Sequence, residues 1–250
     1  VRAARDEFRK LKLRLGILAA LFAFVFISGA DGQSEDRLSS NAQRAYEQGD
    51  IARAITLYQK LVRLQPDSVT ARTDLGVALV QVRRYKEAIA QYQEALKRDA
   101  KNPVVLLNLA LARYKHAEFE SAVEELKGFR SEHPENQQSL YLLADCYLRL
   151  GRNREAVTLL EPAYKANPED RAVDYALGTA LLREGRIREG EVVIDRILKD
   201  GDSAEANLML GEAQFAADDA KAAVSSLRRA LDLNANLPGA WSLYGRALLT

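Results

Sequence analysis

One cysteine, two histidines and two adjacent carboxylate pairs are the residues of this 250-residue chain whose types suit catalysis or metal binding. Cys146 has no second cysteine, which excludes an intramolecular disulfide and a cysteine-based metal site. It falls on the core-facing side of a predicted helix, the place of a small apolar residue rather than of a reactive thiol. His116 and His133 fall in predicted turns, and neither has a carboxylate or cysteine at metal-ligand spacing. Glu124–Glu125 and Asp218–Asp219 fall on an outer helix and in a turn, where nothing in the spacing shifts a carboxylate pKa. No nucleophile elbow, phosphate-cradling glycine loop or zinc-protease motif is present. The sequence reads as non-enzymatic, with no cofactor and no metal.

Composition narrows the partner. The chain carries 36 Lys/Arg against 35 Asp/Glu, a net charge of +1. That balance divides into +4 over residues 1–30 and −3 over the rest. A nearly neutral chain of mixed sign gives no electrostatic reason to expect nucleic acid. The charged residues, 28% of the total, are expected on solvated helix faces, and the 48% apolar content is ample for a core.

The elements that would position any site are best seen in Val69 to Asn102. A helix is predicted over about Val69–Gln81 and a second over about Tyr85–Arg98, joined at Arg83-Arg84. Two such short helices cannot bury their apolar faces against each other alone, so the unit needs neighbours. A small residue in the first helix recurs as Ala42, Gly76, Ala110, Ala144 and Gly178 at steps of 34, then Gly211 and Gly245 at steps of 33 and 34. In phase with it, the second helix carries Ala54, Ala88, Ala122, Ala156, Gly190 and Ala223. Larger core residues track along as Tyr58, Tyr92, Leu126, Leu160, Ile194 and Leu227, and Pro66, Pro134 and Pro168 stop second helices.

This pattern of small, large and proline positions resembles the tetratricopeptide repeat (TPR) family. The resemblance covers residues 35–250 and implies an all-α fold, an α-solenoid in which antiparallel helix pairs wind into a right-handed superhelix. The repeats fall at 35–68, 69–102, 103–136, 137–170, 171–203 and 204–237, with the first helix of a seventh at 238–250. The fifth departs from its siblings in Gly190, Ile197, one missing residue and KDGDSAE in place of a proline turn. A helical Gly costs about 1 kcal/mol relative to Ala, so this repeat is expected to be the softest joint. The last unit stops before a second helix, and the natural chain is expected to continue.

Ahead of the repeats, basic residues precede a 16-residue uncharged run from Leu15 to Ala30, with small Ser28 and Ala30 before Asp31. Residues 1–30 read as a signal peptide or a signal anchor, 31–34 as a linker, and the polar stretch through Ser40 as its continuation. Sixteen helical residues span roughly 24 Å against a hydrocarbon core of about 30 Å, which favours cleavage. Either way the repeats are expected outside, exported across the inner membrane (periplasmic or secreted) or membrane-anchored, with membrane contact only through residues 15–30 if uncleaved.

The family resemblance also implies a concave groove lined by first helices, at three residues before the small residue and one and four after it. Those positions are Ser39, Gln43, Tyr46; Thr73, Val77, Val80; Leu107, Leu111, Tyr114; Tyr141, Asp145, Leu148; Tyr175, Thr179, Leu182; and Leu208, Glu212, Phe215. Family members that grip a terminal carboxylate place Lys, Arg and Asn there over three repeats. Here Asn108 stands without a lysine or arginine, which argues against such a clamp. The aromatics Tyr46, Tyr114 and Phe215 either line an apolar trough for a peptide or tilt back into the core. The resemblance thus implies a non-catalytic scaffold binding a protein or peptide segment in its groove. The alternative is an amino-terminal adaptor of a larger protein, such as a transferase or a secretion or assembly component. Stacking with other solenoids is a third reading.

Overall fold

The first helices of the second to sixth repeats begin where the sequence supplies caps. Ser68, Asn102, Asn136, Asp170 and Ser203 each accept a hydrogen bond from a backbone N–H three residues on, at 2.8–3.2 Å. These caps keep the repeat step, so the register that spaces the core also spaces the helix starts. Losing one such cap costs about 1 kcal/mol. The turn inside each pair is equally periodic. Gly49, Arg83, Ala117, Gly151, Gly185 and Asp218 all adopt left-handed backbone with φ between 61° and 81°.

The computed structural model describes residues 34–167, 169–199 and 203–250. The expected signal or anchor segment, residues 1–30, lies outside them, as do Pro168 and the centre of KDGDSAE. Among the described residues the chain is all-α, without a strand. The helices are α1 (34–47), α2 (Ile51–Leu64), α3 (Val69–Gln81), α4 (Tyr85–Leu96), α5 (Pro103–Lys115), α6 (Phe119–Glu132), α7 (Gln137–Arg149), α8 (Asn153–Ala166), α9 (Arg171–Arg183), α10 (Ile187–Lys199), α11 (Ala204–Ala216), α12 (Ala220–Leu233) and α13 (Ala240–Leu248). None of them is long and apolar enough to cross a membrane.

One boundary differs from expectation. Residues 34–40 are helix, not linker. Nothing after Gly32 breaks a helix, acidic Glu35 and Asp36 suit a helix start, and the Gln65 side-chain amide donates to the Glu35 carboxylate.

The chain divides into two units, Val1–Leu109 and Ala110–Thr250. In the first, α3 packs against α2 and α4. A β-carbon on Gly76 would stand 2.4 Å from the Tyr92 ring, so the small residue of α3 is the seat of the large residue of α4. Ala42, Ala54 and Ala88 are fully buried in the same roles.

In the second unit each helix packs on the next from α6 to α13, and α7 meets α9, α9 meets α11, and α11 meets α13. First helices therefore form one row, which is what a stack of antiparallel pairs requires. Gly178 seats Ile194 and Gly211 seats Leu227, each side chain 2.6 Å from where a β-carbon would lie. The fifth repeat is better filled than its composition suggests. Leu182 folds over Gly190, and Ile197 joins a buried cluster with Leu182, Ile194, Ala206, Leu210 and Ala213.

Polar braces tie the pairs together. Asp174 on α9, only 3% exposed, takes two hydrogen bonds from Arg196 on α10, at 2.6 and 3.0 Å. The same guanidinium lies 4.3 Å over the Tyr164 ring of α8. Glu125 corrects an expectation. It faces Arg113 at 2.8 Å, yet burial outweighs that attraction and Glu118 adds repulsion, so its carboxyl is pushed up to about 7. Arg113 Nε and Glu125 Oε2 make no hydrogen bond, which leaves the buried charge poorly compensated.

Candidate protein-binding groove

The row of first helices in the second unit opens a continuous depression. Tyr141, Asp145, Leu148 and Arg149 of α7, Ala172, Tyr175, Ala176, Thr179 and Arg183 of α9, and Met209 of α11 line a cavity of about 380 Å³. A second cavity of about 260 Å³ lies between α5 and α7, lined by Leu111, Tyr114, Gln138, Tyr141, Leu142 and Asp145. Tyr141 and Asp145 belong to both, which joins them into one trough.

Its polar groups are largely fixed in advance. The Tyr114 hydroxyl donates to the Asp145 carboxylate, and Arg149 Nε donates to both, at 2.7 Å to Asp145 and 3.1 Å to the phenol oxygen. The Arg149 guanidinium also lies 5.2 Å from the Tyr114 ring centre and 5.5 Å from that of Phe119. Burial, then Asp145, raises the Tyr114 phenol pKa, and the Asp145 hydrogen bond raises that of Arg149. One turn earlier on α7, the Tyr141 hydroxyl donates to Asp170 at 2.6 Å, a contact that raises its pKa. Tyr175 is the contrast, an aromatic side chain 43% exposed inside the trough.

Other expected groove residues are placed differently. Thr73 is buried, its hydroxyl donating at 2.7 Å to the Val69 carbonyl, and Thr179, though it lines the larger cavity, is only 6% exposed and donates at 2.7 Å to the Tyr175 carbonyl. A threonine that can back-bond inside its own helix needs no groove ligand. Leu208 and Phe215 pack against the buried clusters of α12 and α13, with Arg246 4.9 Å over the Phe215 ring. Glu212 is exposed and Leu107 half-buried. In the first unit Tyr46 and Val77 line a separate cavity of about 370 Å³ with Gln43, Glu47, Tyr58 and Asp74. Burial and Asp74 push the Tyr58 phenol there up to about 12.

Cys146 is fully buried, and burial pushes its thiol up to about 12, far from thiolate reactivity at neutral pH. His116 lies in a turn and His133 is the C-cap of α6. Among the described residues no cluster of three or more His, Cys, Asp or Glu side chains is arranged to hold a metal ion.

Comparison with known families matches tetratricopeptide repeat models over residues 40–103, 151–213 and 204–237. Residues 92–163 match the model of anaphase-promoting complex, cyclosome, subunit 3. The chain belongs to the tetratricopeptide repeat family. As a TPR protein it is a protein–protein interaction scaffold.

Solved structures share the fold at low identity. YrrB, described as a TPR protein with an unusual peptide-binding site, is 18% identical with a TM-score of 0.64, over 77% of this chain and 98% of its own. The pilF protein of Pseudomonas aeruginosa is 19% identical with a TM-score of 0.62, over 87% and 97%. MamA from residue 41 onward, from Desulfovibrio magneticus RS-1, is 18% identical with a TM-score of 0.62, over 68% and 97%. No curated protein matches the chain.

The TPR register also carries residues that the three groove positions miss. Five places after the small residue stand Lys115, Arg149 and Arg183, at steps of 34. Arg149 and Arg183 line the larger cavity, and the period that located the core would have located them too.

Proposed function

We propose that this TPR chain is a non-catalytic scaffold that holds a peptide segment of a partner protein in the trough of α5, α7, α9 and α11. The observation that carries the reading is Tyr175. It is a large aromatic side chain left substantially exposed beside an open cavity, on a helix that buries its other large apolar residues, Val173, Leu177, Leu181 and Leu182. Aromatic side chains in such positions are the usual anchors of an interface. Extended segments, which can place alternate side chains into pockets, suit a trough of this kind. The fixed Tyr114–Asp145–Arg149 network offers a preformed polar wall, so binding there orders few side chains of the scaffold.

Photo-crosslinking tests it. A benzophenone amino acid at position 175 should give discrete adducts with a partner in cells that make the protein. The same residue at position 192 on α10, where Val192 is 65% exposed, should not. Equal labelling from both positions would mean that the trough is not the binding face.

We also propose that the repeats act outside the cytoplasm, since basic residues precede the apolar run Leu15–Ala30 and no charge interrupts it. A reporter that folds only in the cytoplasm, fused after Gly32, should be silent, and strong activity would contradict export.

A further inference from the structure

Lys115, Arg149 and Arg183 occupy the last turns of α5 and α7 and α9, one per repeat, on successive members of the first-helix row. Cations there offset the helix dipole. That role alone does not account for how Arg149 is held. Its Nε is committed to Asp145 and Tyr114, and its face lies over two rings. Its two terminal nitrogens hydrogen-bond no described residue. Arg183 reaches only the Leu148 carbonyl, at 3.4 Å, and Lys115 is exposed with no ion pair among the described residues.

The acidic groups nearby are already spent. Asp145 is matched by Tyr114 and Arg149, Asp170 caps α9 and takes Tyr141, Glu118 sits beside Arg113, and Asp174 is buried against Arg196. Glu205 and Glu212, both on α11, are exposed carboxylates at the far end of the row. Arg149 and Asp145 balance each other, so Lys115 and Arg183 are the unmatched cations along the row from α5 to α9, and Arg149 adds unused donors between them.

We propose that the segment held in this trough is acidic, and the inference rests on the trough being the binding face. Packed helices lie about 10 Å apart and an extended chain advances about 3.3 Å per residue, so a segment crossing the row meets successive cations at about every third residue. The ligand is an extended stretch of a partner protein with Asp or Glu at roughly three-residue intervals and an apolar side chain for Tyr175. Arg149, with its guanidinium plane fixed and its outer nitrogens free, takes the central carboxylate in a forked pair.

A random peptide library displayed on phage, selected against the full chain at low salt, tests this directly. Selected peptides should be enriched in Asp and Glu at three-residue spacing. A fluorescent copy of one should bind about tenfold or more weakly to the Lys115→Glu/Arg183→Glu variant, whose helicity should be unchanged and whose melting should fall by only a few degrees, as the lost dipole compensation requires. Replacing the peptide's two outer acids by Lys, with the central acid kept for Arg149, should restore binding to the variant. Peptides that need Tyr175 but show no acid enrichment and ignore the charge reversal would overturn the acidic ligand while leaving the trough as the binding face. Selection of no peptide that depends on Tyr175 would remove both. Displacement of the acidic peptide by an equally charged DNA oligomer would show a general polyanion surface and would also overturn the proposal.

Discussion

Leu182 Cδ2 stands 2.5 Å from the point where a β-carbon on Gly190 would lie, and Leu182 Cγ stands 2.8 Å from it. The equivalent second-helix position is Ala in every other repeat, and the leucine is 5% exposed. Gly190 is therefore less a weak point in α10 than a socket for a neighbouring side chain.

Gly190→Ala should accordingly destabilise the protein, although alanine favours helix by about 1 kcal/mol. Overpacking of this kind costs about 1–3 kcal/mol. Leu182→Ala alone should cost about 2–5 kcal/mol for the cavity it leaves. The double variant should be less destabilised than the sum, because the new methyl enters the vacated space. Chemical denaturation of the four proteins reads the coupling, and strict additivity would show that the two residues do not share the space.

Ala117 offers the opposite change. Its φ of 63° lies in the left-handed region that glycine adopts freely at the equivalent Gly49, Gly151 and Gly185. The strain on an L-residue there is roughly 1–2 kcal/mol, partly offset by the greater freedom of glycine in the unfolded chain. Ala117→Gly should raise the melting temperature by about 1–3 °C. A fall on calorimetry would show that the turn is not strained.

Glu125 supplies a pH dependence. Its folded carboxyl is pushed from 4.5 up to about 7, so the folded protein holds this proton more tightly than the unfolded one. The stability it contributes is complete below about pH 4.5, declines as pH rises through about 7, and is absent above that. Glu125→Gln should remove this slope and gain about 1–3 kcal/mol at pH 8. Denaturation midpoints from pH 5 to 8 measure it, with unchanged slopes in the variant contradicting the assignment.

The architecture was legible because one period wrote itself into several independent features. Small Gly76, large Tyr92, cap Ser68 and the turn at Arg83 all recur on the 34-residue step, and each is a local requirement of the same helix pair. The trough was less legible. Family position names the residues one turn apart on a helix face, but whether a ring lies open or tucked depends on its neighbours across helices. Phe215 goes inward because α12 and α13 offer apolar contacts, while Tyr114 finds Asp145 a repeat away. Glu125 was invisible for the same reason, since its burial against Arg113 depends on how α5 and α6 meet.

The claim that the trough binds a partner segment turns on one comparison, Tyr175→Ala against Leu177→Ala. The two residues lie on the same helix, one 43% exposed and the other 2%. Paired calorimetric melts and titrations with a peptide selected against the wild-type chain give both readings at once. Tyr175→Ala should melt within about 1 °C of wild type, as exposed substitutions usually do, and bind at least about tenfold more weakly. Leu177→Ala should lose about 2–5 kcal/mol of stability through its cavity. Full peptide affinity in a well-folded Tyr175→Ala protein would contradict the account.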